Sequence, residues 1–140
     1  MPDNTKFIEK IIDHWLSNKA KILSYLTSDC VYVVGTGKGG SVPFYGTYRG
    51  RRGVQKFFRL HDDAQQTIKC RKPPRKNYVV ANDKITVSGA STYRIVRSGQ
   101  TYESYWILIW QIRNNRIAGL RFLFDDEVLI RTFLRSSSAL

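Results

Sequence analysis

A carboxylate, an imidazole and a phenol are the groups in this sequence best placed to move a proton or hold an oxygen. Asp125 stands at the end of the apolar run Leu120-Arg121-Phe122-Leu123-Phe124. A carboxylate at the pocket end of such a strand loses its water, its pKa rises, and it becomes a general acid or base near neutral pH. The competing reading is that Asp125 caps the helix that follows, a role that passes to Asp126 if Asp125 points inward. His61 follows the apolar side of a helical stretch and is a candidate proton shuttle; otherwise it is a half-buried ring with one satisfied nitrogen. Tyr32 shares one side of its strand with Cys30 and Val34. Its hydroxyl can orient a carbonyl or bond a neighbour inside the core. His14 is the only other histidine, and Cys30 and Cys70 are the only cysteines. None of these has partners at metal-ligand spacing, so neither a metal nor another cofactor is expected.

Charge points to a different class of partner. Lys and Arg number 23 against 11 Asp and Glu, giving a net charge of +12. A surplus of this size attracts anions, whether nucleic acid, an acidic membrane face, or a phosphorylated or carboxylated substrate. It gathers in two clusters, Arg49, Arg51 and Arg52, and Lys69, Arg71, Lys72, Arg75 and Lys76 around Pro73-Pro74. Both are candidate anion-binding groups; the alternative is a solvated basic edge that keeps sheets from pairing. Aromatic residues are not interleaved with them as a base-stacking platform requires, which weighs against nucleic acid without excluding it. The glycine-rich stretch Gly35 to Gly40 fits neither a dinucleotide nor a P-loop pattern and reads as a mobile loop over a pocket mouth. No apolar run approaches the roughly 20 residues of a membrane span. The first residues lack the apolar stretch of a signal peptide. A cytoplasmic protein with reduced, buried thiols is the expectation.

Elements able to position these groups follow from periodicity. Phe7, Ile8, Ile11, Ile12, Trp15 and Leu16 recur at helical spacing, and Ser17-Asn18 breaks that helix. A second helix is expected to carry Ile22, Leu23, Tyr25 and Leu26 and to end at Ser28-Asp29. Cys30 to Val34 is a β-branched strand. A third helix spans about 51–64, with Val54, Phe57, Phe58 and His61 on one side. Strands are expected at 67–72, 78–81, 84–97, 101–113 and 117–124, with the long one bent at Gly89. A last short helix runs to about Phe133. Residues 1–135 make one domain, and 136–140 a disordered tail. Within the strand 101–113, Trp106, Leu108 and Trp110 share one face and Tyr105, Ile107, Ile109 and Gln111 the other. Glu103 is expected near its rim. Helices followed by long strands in so short a chain indicate an α+β fold, a strongly curved mixed or antiparallel sheet wrapped around N-terminal helices as a cone-shaped barrel.

Gly46-Thr47-Tyr48-Arg49-Gly50, followed by Val54 and Phe57-Phe58, resembles the G-x-Y-x-G … V-x-x-F-F entry to the third helix of SnoaL-like proteins. Leu120 to Asp125 resembles the closing strand of the same group. It belongs to the nuclear transport factor 2-like superfamily, alongside ketosteroid isomerases and limonene-epoxide hydrolases. The resemblance covers roughly residues 7 to 130. It implies a cone with one deep pocket and a homodimer through the sheet's outer face. It places Val34 and Leu108 where the isomerases carry their base and their oxyanion-hole acid, which excludes that chemistry here. Asp125 matches the final Asp of the epoxide hydrolases, whose other two site residues have no clear counterpart; Arg94 is only nearby. By the same alignment Tyr32 and the Trp106 face point into the cone. Trp15, Phe57, Trp106, Leu108, Trp110 and Val34 become candidate pocket walls, suited to an apolar or aromatic ligand and open to an anionic one. The expected function is a small cofactor-free cyclase, isomerase or hydrolase acting on an oxygen-bearing molecule, with Asp125 as acid/base and Tyr32 and His61 as orienters. The alternative is a non-catalytic ligand- or partner-binding module with a basic docking surface.

Overall fold

The computed structural model describes residues 4–36 and 40–138, with side chains as far as 136. Helix α1 covers Thr5–Ser17 and buries Ile8, Ile11 and Ile12 of the expected apolar stripe; Phe7 and Trp15 are partly buried, and Leu16 is exposed. A single turn, α2 at Lys19–Ile22, runs through a tighter turn at Leu23–Tyr25 into strand β1, Leu26–Val34. The edge strand β2, Gly46–Arg49, leads into α3, Gly50–Ala64. The rest is sheet: β3 Gln65–Cys70, β4 Tyr78–Ala81, β5 Lys84–Ile95, β6 Thr101–Arg113 and β7 Arg116–Phe124. Helix α4, Asp126–Ser138, closes the described chain.

The strands form one seven-stranded sheet in the order β2-β1-β7-β6-β5-β3, with β4 also paired to β5. β1 lies parallel to β7, and every other pairing is antiparallel. The expected α+β cone is present, although its sheet stays open at β2 and β3 and does not close into a barrel. Along β6 burial alternates residue by residue: Trp106 and Trp110 are buried at 4% exposure, whereas Tyr105 is 72% exposed. One face of β6 therefore builds the core and the other meets solvent. The β6–β7 turn holds Asn114 and Asn115 at φ 52° and 60°. Two left-handed residues in succession suit a tight hairpin, and asparagine tolerates that conformation better than most.

Several boundaries differ from the sequence reading, among them β3, which runs Gln65–Cys70, and β5, which ends at Ile95. Leu26 belongs to β1, not to a second helix, because it pairs with Ile117 of β7 and is wholly buried in the sheet. β2 was not expected; it is four residues long and its polar positions carry no alternating apolar signal. Of the tail expected at 136–140, residues 136–138 continue helix α4, with Ser136 buried and its Oγ 3.1 Å from Ser98 Oγ, and residues 139–140 lie outside the described residues. β5 runs on through Gly89 without a break. The mobile-loop expectation for Gly35 to Gly40 falls on Gly37, Lys38 and Gly39, which lie outside the described residues. The approach to that loop is pinned by Asp126, whose two carboxylate oxygens accept hydrogen bonds from Thr36 Oγ1 at 2.8 Å and Tyr45 Oη at 2.7 Å.

Candidate ligand-binding site

The helices and the inner face of the sheet enclose a narrow cavity. Its volume is about 40 Å³. Trp15 of α1 and Phe57 of α3 wall it on the helical side, and Trp106, Leu108 and Trp110 of β6 on the sheet side. All three tryptophans of the chain therefore line one space. Phe57 is the hub of the helical wall. Its ring centroid stands 6.0 Å from Trp15, 5.3 Å from Tyr48 and 6.2 Å from Tyr32. Trp106 is fixed on the sheet side by a 2.8 Å hydrogen bond from Nε1 to Ser91 Oγ. Gly89 faces it across the β5–β6 ladder; a Cβ there would come within 2.4 Å of the indole. Only glycine leaves room for that ring.

Polar groups in this space are few, and they are chiefly donors. Tyr32 Oη and Trp110 Nε1 are buried with no hydrogen-bond partner among the described residues. Leaving a buried donor unpaired costs roughly 1–3 kcal/mol, so two on one cavity call for an acceptor. Burial drives the Tyr32 phenol far above its ordinary pKa, and likewise the phenol of Tyr93 on the same cavity. Both stay protonated at any physiological pH and act as hydrogen-bonding groups, not bases. Cys70, expected to be buried, is only partly so; it reaches the edge of the cavity from β3. Among the described residues no Asp, Glu or His side chain lines the cavity.

No protein-family model matches the sequence, and no curated protein matches it. Solved structures do. An NTF2-like protein of unknown function from Burkholderia pseudomallei superposes with a TM-score of 0.81, at 18% identity, covering 94% of this chain and 97% of that one. The fold is the NTF2-like one. TerC, co-crystallised with polyporic acid, superposes at a TM-score of 0.69 and 19% identity, covering 91% of this chain and 98% of its own. A candidate polyketide cyclase from Xanthomonas campestris superposes at 0.73 with 15% identity, covering 92% and 95%. At such identities the likeness establishes the fold, and the chemistry must be argued from the site.

Within the NTF2-like cone, only some of the sequence-predicted residues come together on the cavity. Trp15, Phe57, Trp106, Leu108, Trp110 and Tyr32 come together on the cavity. Val34 is buried in the core but is not among the cavity's lining residues. Asp125 is not on the cavity either: its Oδ1 accepts the backbone N–H of Val128 at 3.3 Å, so its carboxylate caps α4. Asp125→Ala is accordingly expected to lower stability by about 1 kcal/mol in a denaturant titration, while Asp125→Asn retains most of it.

The two basic clusters do not converge. Arg49 lies on β2 and Lys69 on β3, the opposite edges of the sheet, and Arg52, Arg71 and Lys72 are exposed beside them. Arg51 donates to the carbonyl of Leu26 at 3.2 Å, and Lys72 lies 3.7 Å from Glu9. Charged edge strands of this kind discourage pairing between sheets. Among the described residues no helix is long and apolar enough to cross a membrane.

His61 sits behind the cavity wall. Its ring is fully buried and meets Trp15 edge-on at 4.8 Å. Nδ1–H donates to Asp62 Oδ1 at 3.1 Å, Gln65 Nε2 donates to Nε2 at 3.2 Å, and Tyr102 donates to Gln65 Oε1. Both imidazole nitrogens are engaged, which leaves none for a ligand. The sequence offered Gln65 and Tyr102 no motif; only the fold brings them to His61. Burial lowers the His61 pKa from its ordinary value near 6.5, with Asp62 opposing. Below that value the unfolded chain takes up a proton that the folded chain refuses. Stability is therefore expected to fall as pH drops from about 6.5 toward the folded pKa, and to change no further on this account below it. Thermal unfolding followed across this range should show that slope, and His61→Asn should flatten it; an unchanged slope would assign it to other groups.

Proposed function

We propose that the protein binds a flat, apolar small molecule bearing an acceptor oxygen, and activates it without a cofactor by hydrogen bonding to that oxygen. The observation that carries this reading is the pair of unpartnered buried groups, Tyr32 Oη and Trp110 Nε1, on a cavity otherwise walled by aromatic and aliphatic side chains. Donors held in a dry site stabilise negative charge as it develops on a carbonyl oxygen, which is what enolisation or ring closure requires. Aromatic walls align the substrate. The proton leaving carbon passes to water or to a basic group on the substrate itself, because the lining residues include no carboxylate or imidazole. The structural likeness to a candidate polyketide cyclase and to TerC with its bound polyporic acid supports a small-molecule ligand of this kind.

Carriage without turnover is the second reading, favoured by that same lack of a base. Exchange of the α-protons of α-tetralone in heavy water, followed by NMR, separates the two. The enzyme reading expects exchange faster than in buffer and slowed by roughly a hundredfold in Tyr32→Phe. Binding with no acceleration would make the protein a carrier, and no binding would reject both. Exchange abolished in Asp125→Asn would return Asp125 to a catalytic role. The homodimer expected from the resemblance is a separate proposal, tested by the mass in solution.

A further inference from the structure

Outside the cavity lies an open groove of about 490 Å³, lined by Trp15 and Leu16 of α1, Ile68 of β3, and polar residues of α2, α3, β3 and β5. Among the described residues Trp15 is the one that lines both spaces. Its indole is therefore the partition between them. The ring is held from the groove side at two points: Nε1 donates to Thr67 Oγ1 at 3.1 Å, and Lys19 Nζ stands 4.4 Å over the ring. With the indole in place the inner cavity is narrow. With the indole displaced into the groove the two spaces become continuous.

The groove's charge is not balanced. Lys19 pairs with Asp62 at 3.3 Å. Arg94 stands directly opposite Gln66 in the β3–β5 ladder, on the exposed edge of the same groove. None of the described carboxylates forms an ion pair with it. Two cations against one carboxylate leave one net positive charge at the cavity's outer wall. An exposed guanidinium and an ammonium on one groove suit a carboxylate, which accepts two parallel hydrogen bonds from arginine.

We infer that the ligand is a monocarboxylate, its anionic end on Arg94 and Lys19 in the outer groove and its apolar, oxygen-bearing body beyond Trp15 in the cavity. This rests on the proposed binding of an oxygen-bearing apolar molecule and adds the class of its other end. One net charge matches a carboxylate better than a phosphate dianion. Trp15 is then the gate that the body passes, and Thr67 its latch.

The test is calorimetric titration of the full chain, at low salt, with α-tetralone and with the α-tetralone that carries a carboxylate on its aromatic ring para to the carbonyl. The acid is expected to bind roughly fivefold tighter than the neutral ketone, an advantage in the range of an exposed ion pair that shrinks as salt is added. In Arg94→Gln the ratio of the two affinities should fall to about one, and Arg94→Lys should keep part of it. Stopped-flow mixing should show both ligands entering faster in Thr67→Val, with the latch removed. Equal affinities in the unsubstituted protein, or an undiminished preference in Arg94→Gln, overturn the inference and leave the cavity reading standing. Unchanged entry rates in Thr67→Val overturn the gate. Failure of both ligands to bind overturns the cavity reading, and this inference with it.

Discussion

Phe57→Ala is expected to cost about 3–5 kcal/mol of stability, the range for emptying the space of a fully buried phenylalanine. The ring is wholly inaccessible to solvent and contacts aromatic rings from α1, β1, β2, α3 and β7 at once. Few of these neighbours can collapse inward, because each belongs to a different element and Trp15 is tethered to Thr67. The cost should therefore sit toward the upper end of the range. The enlarged cavity should also accept a small aromatic hydrocarbon such as toluene, which restores part of the stability by binding only the folded state. Urea titration with and without toluene reads both effects. A loss under about 1 kcal/mol would show that the wall around Phe57 repacks freely. The cavity would then be a soft feature of the core and not a built site.

Tyr32→Phe is expected to move two measurements in opposite directions. The phenol oxygen is buried without a partner, so removing it relieves a desolvation cost; the ligand-free protein should gain up to about 1 kcal/mol. The same change removes a donor to the ligand's oxygen, so affinity for α-tetralone should fall roughly tenfold, about 1.4 kcal/mol. A structural hydroxyl would give the reverse pattern, with stability lost and binding unmoved. Trp110→Phe should behave as Tyr32→Phe does, less strongly in stability because the smaller ring also leaves space behind. Loss of stability in Tyr32→Phe together with full affinity would remove Tyr32 from the site.

The walls of the site were legible in the sequence because they obey simple periods. The two-residue period of β6 put Trp106, Leu108 and Trp110 on one face, and the helical stripes put Trp15 and Phe57 toward it. The glycine-bounded entry to α3 and the closing strand carried the fold. Asp125 illustrates the limit. Its place after an apolar strand suggested a desolvated carboxylate, yet the three-residue spacing to Val128 is also that of a helix cap, and the cap is what forms. The short β2 and the strand start at Leu26 were hidden because their pairing partners lie far along the chain. The outer groove was beyond reach for the same reason. Lys19, Asp62 and Arg94 share no motif or element, and only the register between β3 and β5 sets Arg94 beside Gln66 at Trp15. Ser91 could have been found: the alternation of β5 places it on the face of Val87 and Tyr93, opposite the strand that carries Trp106.

The central claim is that the cavity recognises an oxygen through Tyr32 and Trp110. Calorimetric titration of the unsubstituted protein with α-tetralone and with tetralin, which has the same ring skeleton without the oxygen, tests it most directly. Tighter binding of the ketone by roughly tenfold is the expected result. Equal affinities for ketone and hydrocarbon would contradict the account, since the two buried donors would then be meeting nothing that the ligand brings.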